Sequence, residues 1–273
     1  MTRLSSYIHA LPRDGVFSLW FGPGEGPAWI EHQADQPHYA ASTIKLALVI
    51  AAHREHQAGR LDLDAPVRIH NSFQSRADGS PFSMDRDEDS DQAPWRRLGT
   101  EVALRWLCLR AIVRSSNLAT NLILDAVGVP AVTATLAALG ATGSVVSRGI
   151  DDSVARQAGL QNLITAADLA RTLQALHAGT AASPAVCGEV LAILGAQQIN
   201  DAIPVGLPAG TRVAHKSGWV EGVSHDAGVI YPTQGQGGDP FVFVMCTTSD
   251  LDERAGLELI SAGAAAAWAD RRL

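Results

Sequence analysis

Cysteine is scarce in this chain. Cys108, Cys187 and Cys246 make an odd count, and each sits in an apolar segment, which excludes a disulfide framework and predicts buried free thiols. Concentrated positive charge is also missing. The net charge is −7 and no stripe of Lys and Arg is present, so nucleic acid and anionic membrane surfaces are excluded as partners, since binding phosphate needs clustered cations. No apolar run reaches transmembrane length, so no membrane association is expected. The first residues, Met1 to His9, lack the apolar centre of a signal peptide. Taken as the native start they predict a cytoplasmic protein, or a periplasmic or secreted one if an export signal has been removed. There is no internal repeat and no low-complexity tract.

The composition that remains is that of a folded protein. With 47% hydrophobic and 18% charged residues over 273 positions, the chain is too apolar for disorder and long enough for a large core. Val16 to Phe21 and Ala28 to Glu31 read as strands around a glycine turn, and strands return late at Thr211 to His215, Asp226 to Tyr231 and Phe241 to Thr248. The middle reads as helical, with Thr165 and Ser183-Pro184 as helix starts. Strands at both ends and helices between predict an α+β fold. One antiparallel sheet is built from both termini and covered by the helix after Ser42 and by the last helix, Asp252 to Ala269. The expected division is an α/β subdomain over 1–63 and 199–273 and a helical subdomain over 64–198, with the site in the cleft between them.

Ser42-Thr43-Ile44-Lys45 opens an apolar helix running to Gly59. On a helix, positions i and i+3 share a face, so the Lys45 amine is expected to reach the Ser42 oxygen. Serine becomes a nucleophile when a neighbouring base takes its proton, and burial is what turns a lysine into a base. Two further stretches follow in order. Ser115-Ser116-Asn117 joins two apolar helical segments, and Lys216-Ser217-Gly218 ends the short strand beginning at Thr211. Ser-x-x-Lys, Ser-x-Asn and Lys-Ser/Thr-Gly in that order resemble the signature set of class A β-lactamases and penicillin-binding proteins. The resemblance runs from about Tyr39 to the last helix.

The resemblance implies a β-lactamase-like fold and a metal-free, cofactor-free serine acyl-hydrolase acting on a small-molecule β-lactam or related amide. Ser42 would attack the carbonyl, with Lys45 as base and Lys216 helping to hold Lys45 neutral. The backbone N–H groups of Ser42 and Trp219 would form the oxyanion hole. By resemblance, Ser115 relays a proton to the leaving nitrogen, Asn117 holds the substrate amide, and Ser217 and Gly218 line the binding edge. The family's Ω-loop glutamate has no counterpart between Arg148 and Thr165. Asp151, one residue displaced and one methylene shorter, is the candidate deacylating carboxylate, while Asp152 is expected to be structural. The final strand also lacks the arginine that often binds the β-lactam carboxylate. A D-alanyl peptidase, an esterase, a small-amide hydrolase and a non-catalytic binding module are the alternatives.

Other patterns carry no chemistry. Asp85 to Asp91 lacks the glycine and the twelfth-position glutamate of a calcium loop and reads as a solvated acidic loop. His53 and His56 lack zinc spacing, and the glycines at 22, 24 and 26 open no helix after a strand.

Overall fold

The computed structural model describes residues 1–272. Five strands form one antiparallel sheet, Ile30–His32, Val16–Pro23, Phe241–Thr248, Val223–Tyr231 and Arg212–Val220 in spatial order, so both termini contribute as expected. Side chains alternate across it. Phe241, Phe243 and Met245 enter one core with Phe17, Leu19 and Phe21, beneath the helices Arg3–His9 and Glu253–Asp270. Val242, Val244 and Cys246 enter the other core with Trp20. A sheet buried on both faces needs continuous apolar strands, which is how these segments read.

The helix after Ser42 is not where the sequence placed it. Ile44–Gln57 is buried from Ile44 to His53 and packs among the helices Leu104–Val113, Asn117–Val127, Val129–Ala138 and Pro184–Gly195. It is the centre of the helical layer, because a helix apolar on every side needs neighbours on every side. The second cover of the sheet is Ala166–His177, a segment assigned by sequence to the helical part. Thr165 and Ser183 cap their helices as expected, and Gly59 follows the Ala58 C-cap with φ +70°. The strand read as Thr211 to His215 does not stop at His215. It continues through Lys216 and Gly218 to Val220, since its pairing with Val223–Tyr231 is unbroken across the motif. All three cysteines are free and buried. No single helix among the described residues is long and apolar enough to cross a membrane.

Candidate active site

Ser42 lies in a short 3-10 turn, Ala41–Thr43, that leads into the central helix. Ala41 holds φ +44°, and Ser115 and Asp151 hold +56° and +61°. Three of the four left-handed non-glycine residues among those described therefore stand at this site, the pattern of strain kept where geometry matters. The opposite wall is the free edge strand Arg212–Val220. A Cβ on Gly218 would lie 2.9 Å from the Ser42 nitrogen and 3.0 Å from that of Thr43, so only glycine lets the strand approach the Ser42 backbone this closely. Ser42, Ser115, Asn117, Asp151, Ser217, Gly218 and Trp219 all line one cleft of about 620 Å³.

Lys45 is fully buried, and its Nζ donates to Ser115 O at 2.6 Å, Asn117 Oδ1 at 2.8 Å and Ser115 Oγ at 3.1 Å. The expected contact with the Ser42 oxygen is not among its hydrogen bonds. Of the three acceptors only the Ser115 hydroxyl can also donate, so among these contacts it is the one that can pass a proton to or from a neutral Lys45. Burial, and then the charge of Lys216, holds Lys45 well below an ordinary lysine, against an opposing pull from Asp89 and Asp151. Burial lowers Lys216 to about 8, opposed by Asp226, and its amine donates to the Ser217 carbonyl at 2.5 Å. Lys45 and Lys216 are the only lysines in the chain, so residue counts alone mark both positions.

The loop that should carry the deacylating carboxylate is clamped at two points. Asn162 Oδ1 accepts from the Ser147 and Arg148 nitrogens at 2.9 and 3.2 Å, while its Nδ2 donates to Arg148 O at 3.0 Å. Asn121 Oδ1 accepts from Ile150 N at 2.8 Å and its Nδ2 donates to Ile150 O at 2.9 Å. Directly after the second clamp Asp151 faces the cleft. Its carboxyl is raised above the usual range, first by burial and then by the charge of Glu88. Asp152 points away, capping Ser153–Gln157 and accepting from Ser75 Oγ at 2.7 Å and Arg76 N at 2.8 Å.

The acidic loop needs correcting. Asp85 and Asp87 are exposed, but Asp89 and Asp91 are buried. Asp89 accepts from Asn117 N, Leu118 N, Ser116 Oγ and Trp95 Nε1, at 3.1, 2.9, 3.2 and 2.9 Å. Carboxylates favour a helix N-terminus, and this one fixes the turn that carries Ser115 and Asn117. Asp91 takes a bidentate pair from Arg110 at 2.6 Å for each bond. Nothing in the spacing of seven acidic and polar residues separates these anchors from their solvated neighbours. No group of His, Cys, Asp and Glu among the described residues could hold a metal.

A profile of the β-lactamase enzyme family matches residues 3–270. The chain belongs to that family. It is a serine hydrolase acting on amide bonds. Its sequence is 31% identical over 240 residues to β-lactamase L2 of Stenotrophomonas maltophilia, covering 78% of this chain and 67% of that protein. A solved β-lactamase from Sphaerobacter thermophilus is 30% identical with a TM-score of 0.78, over 97% of this chain and 95% of the other. The structure of PBP-A, at 22% identity and a TM-score of 0.82 over 99% and 96% of the two chains, shares the fold. In this β-lactamase-family hydrolase every motif residue of the sequence reading lies in or directly behind one cleft. The carboxylates that brace it, Asp89 and Asp226, come from outside the motifs. Asp226 accepts from His215 Nδ1 at 2.9 Å beneath Lys216.

Proposed function

We propose that this chain hydrolyses β-lactam amides through an acyl-enzyme on Ser42. The observation that carries the reading is the fully buried Lys45, three positions after Ser42, whose amine already meets the hydroxyl of Ser115 and can hand on to it a proton taken from Ser42. The neutral Lys45 amine takes the Ser42 proton as the oxygen attacks the carbonyl carbon. Charge on the carbonyl oxygen is met by the N–H groups of Ser42 and Trp219, brought together by the close passage of Gly218. The C–N bond then breaks, and the leaving nitrogen receives the Ser115 proton, which Lys45 replaces. Asn117 holds the substrate amide, and Lys216 with Ser217 faces the substrate's carboxylate. Asp151 takes a proton from water, whose oxygen attacks the acyl carbon, and as the bond to Ser42 breaks that proton passes to the Ser42 oxygen and leaves Asp151 ionised again.

Intact-mass measurement over time with benzylpenicillin tests this. A transient adduct equal to the intact penicillin is expected on the parent, mapping to Ser42, and none on Ser42→Ala. An adduct that survives Ser42→Ala would remove Ser42 as the nucleophile.

A further inference from the structure

The cleft around Ser42 is already a place for substrate; its charge decides which substrate. Six carboxylates line it; Asp89 is taken up by the hydrogen bonds described above, and the other five come from four separate segments: Asp87 and Glu88, Asp151, Glu221 and Glu253. Among the described residues none of the five accepts a side-chain hydrogen bond or forms an ion pair within the protein, so each is free for a ligand or for water. The chain has 21 lysines and arginines, yet none lines the cleft. Both lysines lie buried behind it, and Lys216 spends a donor on the Ser217 carbonyl.

Two further features bear on the same point. Trp219, beside Gly218 on the edge strand, leaves 45% of its surface exposed in the cleft, an aromatic face two residues from Glu221. An aromatic face flanked by carboxylates is the environment that receives an ammonium group, through the ring quadrupole and through charge. Glu88 is the main charged neighbour that raises Asp151, so these two carboxylates repel each other, and a cation bound near both would relieve that repulsion.

We infer that this cleft selects acyl donors that carry a protonated amine, zwitterionic rather than purely anionic, with Trp219 and the facing carboxylates as the amine's receptor. The inference rests on the reading of Ser42 as the nucleophile of this cleft. An anionic donor has only Lys216 and Ser217 to meet its carboxylate, and a second negative charge has nothing. Fields of this kind act within a Debye length of about 8 Å at physiological salt, so the selectivity weakens as salt rises.

Three penicillins that differ at a single carbon provide the test: α-aminobenzylpenicillin, benzylpenicillin and α-carboxybenzylpenicillin. Their second-order rates of Ser42 acylation are compared at pH about 6, below the amine's pKa. The amine should react fastest and the second carboxylate slowest, with at least roughly tenfold between them at low ionic strength. The spread should shrink in high salt and in the triple variant Glu88→Gln, Glu221→Gln, Glu253→Gln. Equal rates at low salt, a reversed order, or an order indifferent to the triple variant would overturn the inference. Calorimetric binding of the same three compounds to Ser42→Ala reads the ranking without chemistry. Absence of any adduct on the parent would therefore defeat the proposed hydrolysis alone, while a flat ranking on Ser42→Ala would defeat this inference alone.

Discussion

At the scale of single residues the site depends on two groups whose proton affinity is set by surroundings. Lys45 acts only if it can lose its proton, and a guanidinium does not. Lys45→Arg is expected to slow acylation on the order of 10²–10⁴-fold while leaving the folded state intact by circular dichroism, the range typical of a lost general base. An arginine variant acylated at the parent rate would show that the proton leaves by another route. Asp151 presents the opposite case, since it is a base only when ionised. Its carboxyl is raised by burial and by Glu88, so deacylation should fall as pH drops through that raised value while acylation is still measurable. Asp151→Asn should trap the acyl-enzyme without slowing its formation. Turnover by that variant at the parent rate would show that some other group activates the water.

At the scale of elements, the catalytic turn is held by a loop that looks expendable. Asp89 satisfies two N–H groups at the start of Asn117–Val127 together with the Ser116 hydroxyl and the Trp95 indole. Removing a buried acceptor leaves its donors stranded, so Asp89→Ala should destabilise the fold by about 2–4 kcal/mol. It should also impair acylation, because Ser115 and Asn117 lose their anchor. Urea unfolding should show a lower midpoint with an unchanged slope. A midpoint within error of the parent would mean that water replaces the carboxylate. The Asn121 and Asn162 clamps act in the same way on the Asp151 loop, each answering both the N–H and the C=O of one loop residue.

At the scale of the molecule, a buried histidine pair ties the segment just before Ser42 to the sheet. His38 Nε2 meets Ser18 Oγ at 2.9 Å, and His225 Nε2 donates to Tyr39 O at 2.8 Å, with the rings 5.6 Å apart. Burial lowers both to about 4, and for His38 the charge of His225 adds to the effect. The unfolded chain, with ordinary histidines near 6.5, binds more protons than the native state between these values. Stability should therefore be full above about pH 6.5 and fall as pH drops toward 4, by up to about 3 kcal/mol from His225 alone. Chemical denaturation at a series of pH values measures it. A midpoint flat from neutral pH to 4.5 would show that the histidines protonate without unfolding anything.

The sequence alone determined the family motifs and the strands of the main sheet. Ser42, Lys45, Ser115, Asn117 and Lys216 are legible because proton transfer restricts which residue types can serve, and the buried strands because a sheet covered on both faces must be apolar throughout. The tertiary structure decided what depends on packing between distant segments. Lys45 turns from Ser42 toward Ser115, seventy positions away in the chain. The nucleophile's helix lies in the helical layer and not on the sheet, since an all-apolar helix records that it is buried but not against what. Asp89 and Asp91 became anchors and Glu88 a cleft residue, although all three sit in one acidic run of similar residues. Local spacing cannot distinguish them. The donors that bury Asp89 and Asp91 and the wall that faces Glu88 come from Trp95 to Leu118 and from the Asp151 loop, and are brought there only by the fold.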